Sequence, residues 1–449
     1  MKIVELIPGS GDAFYCENCL RDGTFFKALH DQGHDILRAP LYLPIASNEL
    51  EEHTADSVFF GGVNVYLQQK SALFRKTPRW IDRVFDSERL LKWAAGKSGM
   101  TDATELGELT LSMLRGEEGR QVKELNRLVT WLKTKETPDV IHLSNALLLG
   151  MARQIKEQIH VPVICSLQDE DMWIDALPEP QRQTVWDTMA ERATDADGFI
   201  AVSHYYKDVM CNRLEIPCEQ VHVVYNGIDT TKGYQQAELP VDPPVVGFLE
   251  RECQEKGLGI LVEAFIILRK SGRIPNLKLR AEGGSMGMDE SFLKEIHQRL
   301  ADENLSDDVE ILPNPGIEER LDFLRGLSVL SVPAEHKEAF GIYIIEALAS
   351  GVPVVQPRHG AFPELLEATG GGILYEPNDP DALADAIESL VLDPQRAREL
   401  GRRGREVVLK KFSVEYMACE MVKAMETVTK QGTPESRDCL EVVESQTRV

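Results

Sequence analysis

The sequence predicts an α/β protein built from two doubly wound parallel-sheet domains. The chain has 449 residues, more than one hydrophobic core usually supports. Short β-branched runs alternate with helical segments in both halves of the chain. The runs are continuously apolar, as expected of parallel strands that are covered on both faces. Two such Rossmann-like domains would bind ligands at the carboxyl ends of their strands, on opposite walls of one cleft.

Ten segments show the strand pattern, five in each half. Helical segments between them, such as 258–272, complete βαβ units with right-handed crossovers. The predicted strands are KIVELIP (2–8), DVIHL (139–143), VPVICSLQ (161–168), GFIAVS (198–203), VHVVYNG (221–227), PVVGFLE (244–250), LKLRAEG (277–283), VEILPN (309–314), LSVLSVPA (327–334) and VPVVQP (352–357).

The domain boundaries are predicted from changes in this rhythm. A polar, proline-containing stretch between the halves predicts the connection, and a segment without βαβ rhythm predicts a helical insert. The predicted parts are an N-terminal domain at 1–235 with the insert at about 70–138, a connection at 230–244, a C-terminal domain at 241–412, a helix at 413–429 that returns to the first domain, and a polar tail at 430–449.

The composition excludes some classes of function. The chain has 49 basic and 73 acidic residues, a net charge of −24, which argues against nonspecific nucleic-acid binding. The first residues, MKIVELIPGSGD, become polar too early for a secretory signal, and no apolar run is long enough to span a membrane. Eight scattered cysteines do not form the dense pattern of a small secreted domain. We expect a cytoplasmic protein with reduced thiols.

The stretch EAFGIYIIE (338–346) predicts a ligand site at a helix N-terminus. A helix starting near Gly341 would offer backbone N–H groups and a positive dipole end to a phosphate, and glycine permits close approach. Glu338 precedes the helix and Glu346 lies more than a turn inside it, so each can contact a different part of a ligand. The alternative is an ordinary helix with one capping acid and one surface acid.

Two cations are expected near this site. Arg251 and Lys256 follow the predicted strand 244–250, at a strand-to-helix turn. An arginine binds phosphate oxygens through a planar fork, whereas a lysine acts as a point charge. The alternative for both residues is a solvated charge in a loop.

These motifs together resemble the C-terminal signature of the family 4 glycosyltransferases. E-x7-E followed by EALASGVPVV and GAFPE, together with VVYNGID, RECQEKGLGILVEAF and LYEPNDPDALADAI, occurs in the family's order across roughly 200–412. The resemblance implies a GT-B fold and a retaining hexosyltransferase. It also implies a nucleoside-diphosphate sugar donor, with no metal or other cofactor required.

The resemblance also implies roles for the site residues. Glu338 would contact the donor sugar, Glu346 the ribose hydroxyls, and Arg251 with Lys256 the diphosphate. We expect Glu338 to position the sugar and stabilise charge; the other possible role is that of a nucleophile. Further donor-binding groups are the backbone amides of Phe340, Gly341, Ile342 and Tyr343, and the side chain of Glu364, although Ala361 stands where the family has a second glycine.

The N-terminal half matches the family less closely. The loop PGSGD after the first strand places Gly9 and Gly11 for a close approach to a ligand. Family members often carry a histidine after the strand VPVICSL, where this chain has glutamine. The candidates for the acceptor side are His142, Gln168 and Asp169.

Three other patterns have ordinary explanations. The triplet DED (169–171) resembles a D-x-D metal site, but we interpret it as a polar loop because cations and a helix end can meet the diphosphate charge. Cys16 and Cys19 are followed by histidines as in a zinc finger, but without a second CxxC we expect buried thiols and no metal. The segment 70–97 has eight basic and three acidic residues with interleaved aromatic ones. It could contact an anionic membrane or acceptor, or pack on the N-terminal domain with its charges solvated.

The sequence therefore predicts a hexosyltransferase that takes a UDP-, GDP- or ADP-sugar donor and a sugar, lipid-linked or small-molecule hydroxyl acceptor. One alternative is a GT-B sugar-nucleotide epimerase. The other is a non-catalytic protein that binds a nucleotide sugar or a carbohydrate.

Overall fold

The computed structural model describes residues 1–8, 17–42, 54, 59–60, 68–69, 103–135, 137–314 and 316–429, without the side chains of 17–20 and 103–106. The predicted glycine loop with Gly9 and Gly11, the basic segment 70–97 and the tail 430–449 lie outside these residues. The chain divides into two compact units, centred on Asp22–Val224 and Tyr225–Met417.

The first unit contains a six-stranded sheet in which neighbouring strands are parallel. Its strands are β1 (Lys2–Ile7), β2 (Asp35–Pro40), β3 (Val140–Leu143), β4 (Val163–Leu167), β5 (Gly198–Ala201) and β6 (Val221–Val223). The order is β2-β1-β3-β4-β5-β6, so it reverses between β1 and β3. All residues of β3, β4 and β5 are buried, as the continuous apolar pattern predicts.

Helices connect these strands. The described helices are α1 (Glu17–Asp31), α2 (Ala103–Leu114), α3 (Val122–Lys133), α4 (Ala152–Ile159), α5 (Glu170–Asp175), α6 (Gln181–Ala193) and α7 (His204–Leu214). Helices α2 and α3 fall within the predicted helical insert. The start of α7 is determined locally, because the Ser203 hydroxyl accepts a hydrogen bond from the Tyr206 N–H (2.9 Å).

The second unit contains another six-stranded parallel sheet. Its strands are β7 (Val245–Leu249), β8 (Lys278–Glu282), β9 (Val309–Leu312), β10 (Val329–Leu330), β11 (Val354–Pro357) and β12 (Gly372–Tyr375). The order is β12-β11-β10-β7-β8-β9, which reverses between β10 and β7. Sheets of this type bind ligands beyond the carboxyl ends of the strands at such a reversal.

Seven of the described helices lie between or after the strands of the second unit. They are α8 (Leu258–Ser271), α9 (Glu290–Asp302), α10 (Ile317–Arg325), α11 (Ile342–Ala349), α12 (Phe362–Thr369), α13 (Pro380–Val391) and α14 (Pro394–Lys411). The next helix, α15 (Val414–Thr429), belongs to the first unit from Ala418 onward. Asp379 and Asp393 cap α13 and α14, each with proline at the first helical position. Every residue of α11 is buried, because its sequence IYIIEALA is apolar on nearly all sides.

All ten predicted strands are present, and the prediction missed two. The missed strands β2 and β12 lie at the edges of their sheets. Edge strands carry a weaker pattern: β2 contains Asp35 and Arg38, and β12 follows a run of glycines.

Three further observations concern the chain as a whole. The predicted connection 230–244 packs within the second unit, where the Ala237 N–H donates to the Ser350 carbonyl (2.8 Å).

Cys211 and Cys218 form a disulfide, which departs from the expectation of reduced thiols for this pair. Among the described residues, the helices are all too short or too polar to cross a bilayer.

Candidate active site

The site predicted from EAFGIYIIE lies where the strand order of the second sheet reverses. Strand β7 ends at Leu249 and leads directly into Glu250. Strand β10 ends at Leu330, and the loop after it reaches Glu338 and then α11. The two loops that follow these neighbouring strands therefore meet at one edge of the sheet, as parallel pairing requires.

Lys256 and Glu338 form the centre of this site. The Lys256 ammonium lies 2.8 Å from Glu338 Oε1, and the His336 ring nitrogen Nε2 lies 3.1 Å from the same oxygen. Glu338 is fully buried, whereas the Lys256 side chain is 13% exposed. The pair places a buried negative charge and a reachable positive charge side by side.

Glu338 is an ionised carboxylate at neutral pH. Burial raises the pKa of a carboxyl group, but Lys256 and His336 outweigh burial here and lower the pKa of Glu338 to about 2. A group with so low a pKa cannot act as a general acid at pH 7. It can hold a hydroxyl group by accepting hydrogen bonds, or stabilise a developing positive charge.

A second buried carboxylate, that of Glu250, shares Lys256. Glu250 Oε2 lies 3.7 Å from the Lys256 ammonium, and Glu250 Oε1 accepts a hydrogen bond from the Arg251 N–H (2.8 Å). Burial raises the pKa of Glu250, Lys256 lowers it, and the charge of Glu338 raises it again. The prediction from sequence missed this residue.

Arg251 points toward a different set of side chains. Its guanidinium lies 3.5 Å from Glu255 and 3.6 Å from Asp289, and it also contacts the sulfur of Met286 (3.7 Å). Its side chain is 23% exposed. Both predicted cations are therefore paired with carboxylates, and an incoming phosphate group has to compete with those carboxylates.

The helix N-terminus is where the sequence predicts it. Gly341 precedes α11 with φ +107°, a conformation that residues with a side chain rarely adopt. Phe340, Gly341, Ile342 and Tyr343 are all buried around this first turn. The backbone N–H groups and the positive end of the helix dipole lie beside the loop that carries Glu338.

Glu346 is buried and held by two partners. The Tyr234 hydroxyl donates to Glu346 Oε1 (2.8 Å), and Arg320 Nε lies 3.3 Å from that oxygen. Its exposed fraction is only 2%. The sequence placed Glu346 inside the helix but did not reveal either partner.

Glu364 lies half-buried near the start of α12, beside an aromatic cluster. Burial raises the pKa of Tyr225, and the charge of Glu364, to which Tyr225 is hydrogen-bonded, raises it further. The Tyr225 ring stacks on Phe412 at a centroid distance of 5.4 Å and contacts Phe340 at 6.1 Å. Ala361, where a glycine was expected, has φ −81°, which any residue adopts.

The candidates in the first unit have structural contacts. His142, a candidate for the acceptor side, lies on strand β3 and has no exposed surface. Its Nε2 lies 2.8 Å from Ser166 Oγ and its Nδ1 3.5 Å from Glu5. The Gln168 side chain is buried and donates to the Ser144 carbonyl (2.7 Å).

The DED triplet begins α5. Asp169 is half-buried with φ +59°. Glu170 accepts hydrogen bonds from the Ala146 N–H (2.8 Å) and the Tyr206 hydroxyl (2.8 Å), and that hydroxyl also lies 3.0 Å from Asp171. Glu170 and Asp171 thus hold structural contacts at the start of α5. In the described part of the chain, no group of three or more His, Cys, Asp or Glu side chains is arranged to hold a metal ion, and the expected independence from metal stays a prediction.

Four side chains of the site were missed. Glu250 could have been found, since it occupies the last position of a predicted strand beside a predicted site residue. His336 lies two residues before the stretch EAFGIYIIE but belongs to no motif of its own. Tyr234 and Arg320 carried no local signal, because their relation to Glu346 depends on the packing of distant segments.

Two family models match the chain. The model described as "Glycosyl transferases group 1" matches residues 229–407, and the model described as "Glycosyltransferase Family 4" matches residues 104–232. The matched ranges overlap at residues 229–232 and together cover most of the described residues, including Lys256 and Glu338.

Curated relatives agree with these models. The α-maltose-1-phosphate synthase of Mycolicibacterium smegmatis is 34% identical over 243 residues, which are 50% of this chain and 61% of the relative. The D-inositol 3-phosphate glycosyltransferase of Xylanimonas cellulosilytica is 27% identical over 271 residues, 57% of this chain and 62% of the relative. The chain thus spans about six tenths of the length of these relatives.

Solved structures show the same fold. The sucrose-phosphate synthase of Thermosynechococcus elongatus has a TM-score of 0.69 and 20% identity, over 96% of this chain and 100% of that chain. HepE of Anabaena in complex with UDP has a TM-score of 0.69 and 18% identity, over 95% and 100%. The chain belongs to the group 1, family 4 glycosyltransferase family and has the GT-B fold.

Proposed function

We propose that this protein is a retaining hexosyltransferase that moves a hexose from a nucleoside-diphosphate sugar to a hydroxyl acceptor. The observation that carries the proposal is the Lys256–Glu338 pair, 2.8 Å apart, at the reversal of strand order beside the N-terminus of α11. The fold neighbour HepE, which has structures with UDP and with UDP-glucose, supports a nucleotide-sugar donor.

The chemistry of transfer fits these groups. When the bond between the sugar and the diphosphate breaks, negative charge develops on the diphosphate and positive charge on the sugar. Lys256, Arg251 and the N-terminus of α11 stabilise the first charge. The ionised carboxylate of Glu338 holds the sugar and stabilises the second.

Donor binding is the first test. The melting temperature is measured with UDP-, GDP- and ADP-sugars, in the wild type and in Glu346→Ala and Arg251→Ala. A ligand at a hundredfold excess over Kd stabilises the native state by about 2.7 kcal/mol. Stabilisation by one nucleotide class, lost in both variants but retained in Lys294→Ala, supports the proposal. Lys294 is a suitable control because its side chain is 77% exposed. No stabilisation by any of the donors contradicts the proposal.

Transfer is the second test. The stabilising donor is incubated with an alcohol such as glycerol, with and without EDTA, and the product is examined by NMR. An α-glycoside from an α-linked donor, formed equally well with EDTA, supports retention and independence from metal. A β-glycoside overturns retention, and loss of activity with EDTA overturns metal independence. Tight donor binding without any turnover favours a binding protein.

A further inference from the structure

We propose that Tyr234 and Arg320 are positioning residues, which orient the Glu346 carboxylate so that it can bind the ribose hydroxyls of the donor. This inference rests on the proposed function, since it presupposes a nucleotide at the site. Tyr234 and Arg320 both lie outside the stretch 338–346 that contains Glu346.

The three side chains come from separate parts of the second unit. Tyr234 lies in the segment before β7, Arg320 lies in α10, and Glu346 lies in α11. The Tyr234 hydroxyl (2.8 Å) and Arg320 Nε (3.3 Å) both contact Oε1 of Glu346. A carboxylate held at one oxygen by two groups cannot rotate freely, so the direction of its second oxygen is set.

The arrangement is deeply buried. Tyr234 and Arg320 are each 6% exposed, and Glu346 is 2% exposed. A buried carboxylate without a counter-charge is strongly unfavourable, and the guanidinium supplies that charge. Burial, and next the charge of Glu346, raises the pKa of Tyr234 well above its usual value, so the phenol keeps its proton and donates it in the hydrogen bond.

The backbone around Tyr234 is itself held in place. The Arg405 guanidinium donates to the Tyr234 carbonyl (2.9 Å), and the Ala237 N–H donates to the carbonyl of Ser350, the residue that follows α11. The segment that carries Tyr234 is therefore attached to the same helix as Glu346. The tyrosine is in a fixed position relative to the carboxylate before any nucleotide arrives.

The experiment measures discrimination between ribose and its deoxy form. Isothermal titration gives the Kd of UDP, GDP or ADP, whichever binds, and the Kd of the 2′,3′-dideoxy nucleotide with the same base. Hydrogen bonds to a charged group are strong enough to predict a ratio of the two Kd values of about tenfold or more in the wild type. In Tyr234→Phe and in Arg320→Lys the ratio is expected to fall at least about threefold, because the carboxylate is no longer held in one orientation.

The matched control is Tyr375→Phe. Tyr375 is another buried tyrosine of the second unit, and its hydroxyl has no hydrogen-bond partner among the described residues. This variant is expected to keep the wild-type ratio. A purely structural role for Tyr234 would lower the melting temperature of Tyr234→Phe but leave the ratio unchanged.

The possible failures are distinguishable. If the wild type discriminates and both variants keep its ratio, the positioning role is wrong and the proposed function stands. If none of the nucleotides binds to the wild type, the proposed function fails, and this inference fails with it. If Arg320→Lys does not fold, the conservative variant Tyr234→Phe decides the question alone.

Discussion

Replacing Lys256 with methionine should destabilise the second unit by about 3–5 kcal/mol, the usual cost of removing one partner of a buried ion pair. Methionine keeps an unbranched chain but removes the ammonium 2.8 Å from Glu338 and 3.7 Å from Glu250. Burial raises the pKa of Glu338, but Lys256 and His336 together lower it from 4.5 to about 2, a net effect of about 3 kcal/mol at 1.36 kcal/mol per unit, and the charge of Lys256 is the largest of the lowering contributions. Both carboxylates are buried, so solvent cannot replace the lost charge.

The assay is differential scanning calorimetry at pH 7. A unit of this size loses about 2–4 °C of melting temperature per kcal/mol, so the transition of the second unit should fall by about 6–20 °C. Lys294→Met is the control, because Lys294 is 77% exposed and its contact with Glu290 is a surface pair, which contributes about 0–1 kcal/mol. The double variant Lys256→Met/Glu338→Gln should recover part of the loss, since it removes a carboxylate left without its counter-charge.

The pH dependence has a definite sign. Glu338 has a lower pKa in the folded than in the unfolded chain, so its contribution to stability is present above about pH 4.5 and is lost as the pH falls toward 2. The difference between wild type and Lys256→Met should therefore be large at pH 7 and shrink below about pH 4. A variant that melts within about 2 °C of the wild type at pH 7 would refute the reasoning.

Three further predictions concern other residues of the second unit. Gly257→Ala should lower the free energy of unfolding by several kcal/mol, because Gly257 has φ +82° and an added Cβ would lie 1.8 Å from the Pro333 carbonyl oxygen. Gly272→Ala is the control: Gly272 has φ +70° but open space around it, so the loss measured by urea unfolding should be only about 1 kcal/mol. Glu338→Gln should fold but lower kcat at saturating donor by about a hundredfold or more, and an unchanged kcat would exclude a role at the sugar. Glu252→Gln should be more stable than the wild type by a larger margin at pH 8 than at pH 5. Burial and neighbouring acids raise the pKa of Glu252 from 4.5 to about 7 in the native state, so the wild type loses stability as the pH rises from 4.5 through 7, whereas glutamine does not titrate. Urea midpoints at both pH values measure this, and an equal gain at each would contradict it.

Much of the architecture follows from local patterns of residues and could be predicted from the sequence. The apolar runs of the ten predicted strands recur at intervals that suit βαβ units, and their burial follows from composition. The start of α11 was also readable, because Gly341 separates a polar loop from the apolar run IYIIEALA. His142 shows the limit of such reasoning, because its position in the strand did not reveal that Glu5 and Ser166 contact its ring.

The sequence by itself determined the fold class, the helix N-terminus and the identity of Glu338, Glu346, Arg251 and Lys256 as site candidates. Only the tertiary structure decided which charges meet. Lys256 contacts Glu338 across 82 residues, and Tyr234 contacts Glu346 across 112. For the first pair the physical reason is the order of the sheet, because hydrogen bonding between β7 and β10 brings together the loops that follow them. For the second pair it is the packing of the segment before β7 against the end of α11. No periodicity or spacing within either segment encodes that neighbourhood.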